Sequence, residues 1–419
     1  MVAGQGSGEN LLSRDEIREI LEQGLSSHLY HGKKVLVLTP DATRTAPLPI
    51  MVRELHRVMG GSCDKLDFMV ALGTHRALED VEILNLYGIN EQERKGIFAH
   101  TLFMNHRWDV PGTLQDIGSF GSSEIEELTG GLLGEKVNIE INRHIFDYDL
   151  LLILGPVFPH EVAGFSGGSK YLFPGISGGD FLHFFHWLGA VITCPNVIGV
   201  KQNPVRALID AAASRLPVQR ICAAMVVNRE NKLHGLWVGD SDAAWSKAVD
   251  LSAQIHIQRK RRPFHTVLGR ASSIYNELWT AGKVMYKLEP VVADGGKLII
   301  YGKGVRSLSH TWGAYIERIG YHVRDYFLSR MDQFHDVPRG VLAHSTHVRG
   351  IGSCEGGVEK PRIEVVLATS IPEELCRRIN LGYMNPDDID IDCYQNREDE
   401  GFLFVDDAGE VLYRLLSDR

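Results

Sequence analysis

The chain has 419 residues, with 44 Lys and Arg against 53 Asp and Glu, so its formal net charge is −9. This length suggests two or three domains, each able to bury its own core, and a hydrophobic content of 44% excludes a largely disordered chain. The acidic balance argues against nucleic acid as a main partner, because that binding depends on neutralising phosphates with basic side chains.

Targeting signals and metal-binding cysteines are also not expected. No stretch approaches the roughly 20 apolar residues of a membrane span, and the first ten residues lack the pattern of a secretory signal. The six cysteines are scattered and form no CxxC pair, which is typical of thiols in a reducing compartment. We therefore expect a cytoplasmic protein with no membrane partner and no cysteine metal site.

The N-terminal part predicts alternating strands and helices after a flexible start. A capping box at Ser13–Glu16 is followed by apolar residues at helical spacing. Buried-strand runs at 33–41, 66–75 and 149–157 each end in a polar or glycine-rich loop, and a helical pattern at 48–59 separates the first two. This repetition predicts a doubly wound α/β sheet, in which ligands bind beyond the carboxyl ends of the strands.

The C-terminal part predicts a second α/β domain. Residues 221–240 have the pattern of strand, turn and strand, and residues 241–258 that of a helix. The basic run at 259–262 is expected to be a solvated linker or helix end, which places the domains at 1–258 and 259–419. Beyond it, helical patterns alternate with four strand-like runs: HTVLGRASS, GGKLIIYGKG, GVLAHST and RIEVVLATS. The terminal segment 401–415 is expected to form a hairpin.

Residues 155–189 are the most informative stretch, because this stretch contains eight glycines and four candidate functional side chains. These side chains are His160, Lys170, His183 and His186. The loop Ser166-Gly167-Gly168-Ser169 could present amide donors to a phosphate, and Lys170 could bind that phosphate or act as an amine nucleophile. The GxxxxGK[ST] spacing of a Walker motif is absent.

The spacing of His183 and His186 leaves two interpretations open. If the segment is helical, both rings share one face and could reach a metal. The aromatic residues around them are equally typical of a packed core. One hypothesis is therefore a zinc-dependent hydrolase built on His160, His183 and His186, with Glu161 or Asp180 as the base.

Further candidates lie elsewhere in the chain. Asp41 and Arg44 lie just beyond the first strand and Arg76 just beyond the second, where ligand-contacting groups sit in α/β folds. Either arginine could hold a phosphate or carboxylate through two hydrogen bonds, or could instead fix a loop through an ion pair. His106 in MNHRWD is a candidate base, and Lys283 follows Trp279 by four residues on a predicted helix.

With these residues in view, the chain resembles the nickel-pincer-nucleotide lactate racemase family. The resemblance rests on DATR, GTHR, NH, PHEVAGFSGGSK, the later His-Trp pair, WTAGK and GGKLIIYG. It implies an isomerase, a racemase or epimerase of 2-hydroxy acids, with its active site in a cleft between two α/β domains. It also implies a nickel cofactor, pyridinium-3,5-bisthiocarboxylic acid mononucleotide, whose soft sulfur donors suit Ni(II).

The resemblance assigns roles to four residues. Lys170 matches the lysine that forms the covalent thioamide link to the cofactor, and His186 matches the histidine that binds nickel. His106 and His160 match the paired acid/base histidines, one for each enantiomer, because imidazole titrates near neutral pH. The implied reaction removes the hydroxyl proton and transfers hydride from C2, which gives a planar 2-keto acid.

The resemblance is less specific about the residues that bind the cofactor and the substrate. Asp41, Arg44, Lys283 and the loop Ser166-Gly167-Gly168 match cofactor-holding positions, and Arg44 or Arg76 would anchor the substrate carboxylate. Many lactate-acting members carry Tyr-Gln where this chain has Trp279-Thr280, so we hypothesise a reshaped pocket and a substrate other than lactate. Alternatively, Trp279 packs between domains and Thr280 faces away from the site.

The resemblance also implies partners. Separate enzymes would build the nucleotide and insert nickel, so protein made without them would be an inactive apo form. A non-catalytic homologue that binds a nucleotide or a carboxylate is a further alternative, although both candidate bases and the lysine are present.

Overall fold

The computed structural model describes residues 2–417 as two compact units, each built from several stretches of the chain. The first unit comprises residues 2–158, 165–182 and 206–255. The second comprises residues 159–164, 183–205 and 256–417. Two short segments from the middle of the sequence therefore fold with the C-terminal part, and the last passage of the chain between units lies at Ile255–His256.

The strands are, in chain order, β1 (Val2–Gly6), β2 (Lys34–Thr39), β3 (Lys65–Val70), β4 (Phe103–Asn105), β5 (Leu114–Phe120), β6 (Val137–Asn142), β7 (Leu150–Pro156), β8 (Pro159–His160), β9 (Gly164–Phe165), β10 (Gln219–Val227), β11 (Leu233–Gly239), β12 (Ile257–Lys260), β13 (Phe264–Ala271), β14 (Val292–Gly302), β15 (Gly352–Glu355), β16 (Val358–Pro361), β17 (Glu364–Thr369), β18 (Gly382–Tyr383), β19 (Phe402–Ala408) and β20 (Leu412–Leu415).

The α-helices are α1 (Arg14–Gly24), α2 (Leu48–Met59), α3 (Asp80–Leu86), α4 (Glu91–Lys95), α5 (Ser122–Thr129), α6 (Gly179–Ile192), α7 (Cys194–Val197), α8 (Pro204–Ser214), α9 (Ser241–His256), α10 (Leu278–Ala281), α11 (Lys283–Leu288), α12 (Gly313–Ile319), α13 (Arg324–Leu328), α14 (Arg339–Arg349) and α15 (Glu373–Arg378).

The first unit is built on a seven-stranded sheet in the order β1-β11-β10-β7-β2-β3-β4. The pairs from β10 to β4 are parallel, whereas β11 is antiparallel to both β1 and β10. β7 is buried along its whole length, as its unbroken apolar sequence requires of a strand covered on both faces. The parallel strands β7, β2, β3 and β4 therefore end at one edge of this sheet.

The predicted first helix is confirmed with its cap. The Ser13 side chain accepts a hydrogen bond from the Glu16 amide, and the Glu16 carboxylate accepts one from the Ser13 amide. Ile17, Ile20 and Leu21 on α1 are buried, as the helical spacing predicts. The helix predicted at 48–59 is also present with these bounds.

The second unit contains a five-stranded, all-parallel sheet in the order β18-β17-β14-β13-β19. Leu268, Ile299, Val366 and Ala368 form a cluster in its core. The prediction of an α/β fold with mainly parallel sheets is therefore confirmed in both units.

The predicted strand GVLAHST is wrong, because these residues belong to α14. The run looks strand-like because its residues are apolar or small, and residues 340–348 are all buried. A fully buried helix shows no alternation of polar and apolar faces, so burial hides the helical period. Gly350, at φ +86°, ends the helix.

Three further predictions about the chain are wrong. The segment 401–415 is not a hairpin, because β19 pairs with β13 and β20 pairs with β12. The basic run at 259–262 begins within β12 rather than in a linker. Residues 2–6 are not a flexible segment, since they form β1 and pair with β11.

Within residues 2–417, no helix is long and apolar enough to cross a membrane. The six cysteines are all free thiols, three of them buried.

Candidate functional site

The loop that follows β2 is fixed by a buried carboxylate. Asp41 is 8% exposed, and its Oδ2 lies 2.6 Å from Nδ1 of His75 in the loop after β3. Its Oδ1 accepts hydrogen bonds from the amide and the hydroxyl of Thr43. Burial would raise the pKa of Asp41, but the charge and hydrogen bond of His75, with help from Thr43 and Arg44, hold that pKa well below its usual range. Asp41 is therefore a permanent anion at this sheet edge.

The two candidate arginines have different surroundings. Arg44 is half-buried and close enough to Asp41 to lower the pKa of that carboxyl. The guanidinium of Arg76 is exposed and forms two hydrogen bonds with Glu82, at 2.6 and 2.8 Å. Arg44 therefore lies near Asp41 at the carboxyl end of β2, whereas Arg76 forms a surface ion pair with Glu82.

His106 follows β4 and is 1% exposed. The Asn142 side chain is oriented by the His144 amide, which donates to Asn142 Oδ1, so Asn142 Nδ2 donates to His106 Nδ1 at 3.1 Å. His106 Nε2 then carries the ring proton and donates to the carbonyl oxygen of Ser177 at 3.2 Å. Burial lowers the pKa of His106 to about 4, so the ring is neutral at physiological pH.

The loop that carries Lys170 is held through its backbone. Ser166 uses its hydroxyl to bond Pro156 O and Phe158 N, and its amide donates to Phe158 O, so this amide is not directed at a phosphate. Trp245 Nε1 donates to Ser166 O at 2.8 Å. Arg206 donates to Phe165 O at 2.6 Å and stacks on the Trp245 ring at 4.0 Å.

The turn itself requires glycine. Gly167 and Gly168 have φ values of +82° and +57°, in the left-handed region that disfavours residues with a Cβ. A Cβ on Gly168 would also lie 3.0 Å from the Trp245 ring. Lys170, half-buried, follows in a single 3₁₀ turn that spans Gly168–Tyr171.

Hydrogen bonds join this loop to the neighbouring strand ends. The Gly73 amide, beyond β3, donates to Gly175 O at 2.9 Å, and His106, beyond β4, donates to Ser177 O. The first unit therefore brings Asp41, Arg44, His106 and the Lys170 loop together at the carboxyl ends of β7, β2, β3 and β4, where ligands bind in such sheets.

His160 belongs to the second unit and is 4% exposed. Its Nδ1 accepts hydrogen bonds from the amides of Val162 and Ala163, at 3.1 and 3.3 Å, so Nε2 carries the proton of the neutral ring. The Glu161 carboxylate lies 3.7 Å from the same Nδ1. Lys287, itself buried, donates to the carbonyl oxygen of Pro159 just before this histidine.

The helical interpretation of His183 and His186 is confirmed, since both lie on α6. A Cβ on Gly340 of α14 would lie 3.0 Å from His183 Nδ1 and 4.0 Å from His186 Cβ. The α14 helix therefore packs directly against the face of α6 that carries the two histidines. The absence of a side chain at Gly340 allows this approach.

Trp279 packs on a histidine that sequence reasoning missed. Its ring centroid lies 4.2 Å from that of His344 on α14. Tyr286 and Tyr321 each place a hydroxyl on one nitrogen of the His344 ring, at 2.8 and 3.2 Å. Burial, followed by the charge of His347, lowers the pKa of His344 to about 3. The spacing of His344 and His347 would have marked a helix face if the segment had been interpreted as helical.

The other two candidates of the second unit are Thr280 and Lys283. The Thr280 hydroxyl donates to the backbone oxygen of Glu277, at 3.1 Å, a local bond typical of a helix. Lys283 is half-buried at the start of α11, and its Nζ lies 5.0 Å from the centre of the Tyr275 ring.

Among residues 2–417, no three His, Cys, Asp or Glu side chains are placed to hold one metal ion. The zinc site hypothesised on His160, His183 and His186 therefore lacks the required geometry, since a zinc enzyme needs about three protein ligands.

A family profile described as the lactate racemase N-terminal domain matches residues 13–197. Lactate racemase of Thermoanaerobacterium thermosaccharolyticum is 26% identical over 303 residues, which cover 70% of this chain and 66% of that protein. Lactate racemase of Lactiplantibacillus plantarum is 25% identical, over 61% of this chain and 58% of that protein. The chain thus spans less than two thirds of the length of these curated relatives.

Two solved structures extend the similarity to nearly the whole chain. The crystal structure of a Thermotoga maritima protein is 31% identical, with a TM-score of 0.88, and covers 98% of this chain and 100% of that one. The lactate racemase apoprotein of T. thermosaccharolyticum has a TM-score of 0.72 at 19% identity, covering 99% of this chain and 94% of that one, which shows a shared fold. Over residues 13–197 the chain thus matches the lactate racemase N-terminal domain, and the chain as a whole shares the fold of a lactate racemase.

Proposed function

We propose that this protein is a racemase or epimerase of 2-hydroxy acids that works with a lysine-linked nickel-pincer nucleotide. One observation carries the proposal: the ring of His106, a candidate base, donates to Ser177 O on the same loop that presents Lys170. Relatives named lactate racemase support the reaction class.

The residues present fit such a cofactor. Lys170 offers an amine for the covalent link, on a turn whose two glycines fix its direction. His186 would supply the one nickel ligand required of the protein, which agrees with the lack of a three-residue metal cluster among residues 2–417. When bound, the nucleotide would supply the sulfur and carbon donors for nickel and an electron-poor ring that accepts hydride.

His106 and His160 are the proposed pair that takes and returns the hydroxyl proton. Both rings carry their proton on Nε2 and their lone pair on Nδ1 when neutral. To act as a base, His106 would exchange the Asn142 amide for the substrate hydroxyl, and its lowered pKa keeps it unprotonated for this step. The Glu161 carboxylate, 3.7 Å from His160 Nδ1, would stabilise His160 after it accepts a proton.

Arg44 is the proposed anchor for a carboxylate or phosphate, because Arg76 is committed to Glu82. Asp41 fixes the loop that carries Arg44. Lys283 and the backbone of Gly167 and Gly168 are proposed to contribute to cofactor binding, whereas Ser166 holds this loop through hydrogen bonds within the protein.

The proposed substrate is a 2-hydroxy acid other than lactate. The large Trp279 ring, held against His344, reshapes the position where Tyr is common in the family. Thr280 would have to release its bond to Glu277 O to contact a substrate through its hydroxyl. Chiral analysis of lactate and of longer, more polar 2-hydroxy acids with loaded enzyme tests this point. Turnover of lactate as fast as that of any longer acid would contradict it.

The decisive experiment measures intact-protein mass and bound metal on protein produced together with the cofactor-building enzymes. We expect a mass adduct and nickel in the natural protein and in a Lys136→Ala control, since Lys136 is exposed. Lys170→Ala should lose the adduct. Zinc without an adduct, under conditions where a known lactate racemase is loaded, would overturn the proposal.

A further inference from the structure

A small cavity lies inside the second unit, where the end of α6 and the start of α7 meet α14. It has a volume of about 40 Å³. Its walls include Thr193, Cys194, Glu289, Thr346 and His347, so polar groups line it from three separate parts of the chain. These residues lie outside the set to which the proposed function assigns roles.

Two deeply buried polar atoms at this cavity have no hydrogen-bond partner among the described residues. They are Oε2 of Glu289 and Nε2 of His347, on side chains whose residues are 1% and 4% exposed. The other carboxyl oxygen of Glu289 accepts a hydrogen bond from the Ile351 amide at 2.8 Å and lies 3.8 Å from Arg362. Buried polar atoms are rarely left without a partner, because the loss of hydration is costly.

The backbone at the cavity provides a second, independent observation. Thr193, directly after α6, has a φ of +84°. This region is unfavourable for any residue with a Cβ and most of all for a β-branched one. Strained conformations of this kind persist only where the surroundings fix them, and they cluster at binding sites.

We propose that this cavity is an internal hydration site, in which ordered water molecules bridge Glu289 Oε2 and His347 Nε2. The volume accommodates about two or three water molecules. Water can donate to one atom and accept from the other, which a purely apolar or purely cationic ligand cannot do. Thr346, whose hydroxyl donates to Ala343 O, offers its lone pairs as a third partner.

The charge state of the lining favours water over an ion. Burial raises the pKa of Glu289, which favours the neutral acid, and burial lowers the pKa of His347 to about 4, which favours the neutral ring. Arg324, at the cavity wall, pairs with Asp325 and donates to Val191 O. Cys194, Glu289 and His347 are not placed to hold a metal ion together.

The cavity lies between the end of α6 and α14, since Ala190 and Thr193 line it together with Thr346 and His347. The proposed waters would join Glu289, which directly follows α11, to His347 on α14. The inference does not depend on the proposed reaction and applies equally to the apo protein.

The test is a high-resolution crystal structure of the full chain, with a second crystal exposed to xenon. We expect water density at about 2.7–3.2 Å from both Glu289 Oε2 and His347 Nε2, and no xenon in the cavity. Xenon binding, or a cavity without density, would show a dry cavity and overturn the proposal. Anomalous scattering from an ion at the site would overturn it as well.

A variant separates water from a bound cation. Glu289→Gln keeps a neutral polar group at the cavity, so the water peaks should remain and the melting temperature should be the same in sodium, potassium and choline chloride. Loss of the peaks in this variant, together with a cation-dependent melting temperature of the natural protein, would replace the hydration site with a cation site.

Discussion

The side-chain amide of Asn142 donates a hydrogen bond to Nδ1 of His106, and this contact decides which nitrogen of the ring carries the proton. The orientation of the amide is set in turn by the backbone of His144, which donates to Asn142 Oδ1. A residue at the end of β6 thereby sets the chemical state of a candidate base at the end of β4.

Asn142→Asp should raise the pKa of His106 above its value of about 4. A carboxylate in place of the amide would favour a protonated Nδ1, and an opposite charge at this distance typically shifts a pKa by about one to three units. NMR titration of the ring in apo protein measures the change. Asn138→Asp, an exposed position on the same strand, adds the same charge and should leave His106 unaltered. Equal titration curves for both variants would show that Asn142 does not control the ring.

Gly155→Ala should destabilise the first unit by about 1–3 kcal/mol, the usual cost of overpacking a core. A Cβ at this position on β7 would overlap the ring of Tyr171, which is buried beside Lys170. Urea unfolding measures the loss, and Gly155→Ala with Tyr171→Leu should recover part of it. Gly61→Ala is the matched control, because a Cβ there meets no atom within 4 Å. A Gly155→Ala protein as stable as this control would refute the predicted overlap.

Trp245→Phe should loosen the Lys170 loop. The substitution keeps an aromatic ring under Arg206 but removes the donor to Ser166 O, and a buried carbonyl left unpaired costs about 1–3 kcal/mol. Hydrogen exchange should become faster at the amides of residues 167–170. Trp237→Phe, at another buried tryptophan of the first unit, should not change the exchange of that loop. Unchanged exchange in Trp245→Phe would mean that this hydrogen bond does not restrain it.

Acid should weaken the second unit through His344. Its pKa of about 3 in the folded protein lies below the value of 6.5 for an unperturbed histidine, so the unfolded chain binds the extra proton between these values. Stability therefore falls as the pH drops below 6.5, by about 1.4 kcal/mol per pH unit for this one group.

Urea unfolding of the natural protein and of His344→Phe at pH 7 and pH 5 tests this. The variant should lose about 2 kcal/mol less than the natural protein between the two pH values. His100→Gln, at an exposed position, should retain the full pH dependence. An unaltered pH dependence in His344→Phe would show that His344 is not buried as a neutral ring.

Local sequence signals predicted the central strands β2, β3 and β7 of the first unit and its helices α1 and α2. The capping box before α1 and the unbroken apolar run of β7 are patterns that a few neighbouring residues determine, and the structure shows both. Such local signals could not predict which strands pair with β1, β12 and β20. These strands pair with residues far away in sequence, and their own residues do not specify the partner.

Asp41 and Arg44 could be predicted by position, because parallel strands end together at one edge of a sheet. His106 was found by its residue type and by the family resemblance, since the strand β4 before it was not predicted. The hydrogen-bond partners of His106 could not be predicted from the sequence. Asn142 and Ser177 resemble ordinary polar residues in the sequence, and only the fold shows that both contact one imidazole. His344 was missed for a different reason: full burial of α14 removed the helical period that would have revealed it.

The pairing of β1 with β11 also has a consequence for synthesis on the ribosome. The seven-stranded sheet of the first unit is incomplete until β11, residues 233–239, has emerged from the ribosome. By then the segments 159–164 and 183–205, which belong to the second unit, have already left the exit tunnel. Those segments must in turn wait for the C-terminal part, and they carry apolar side chains such as Phe184 and Trp187 that are buried in the finished protein. Nascent chains halted before that point would expose these groups and be prone to aggregate. We therefore expect the yield of soluble protein to depend on elongation rate and chaperone supply more than it would for a protein whose domains are continuous in sequence.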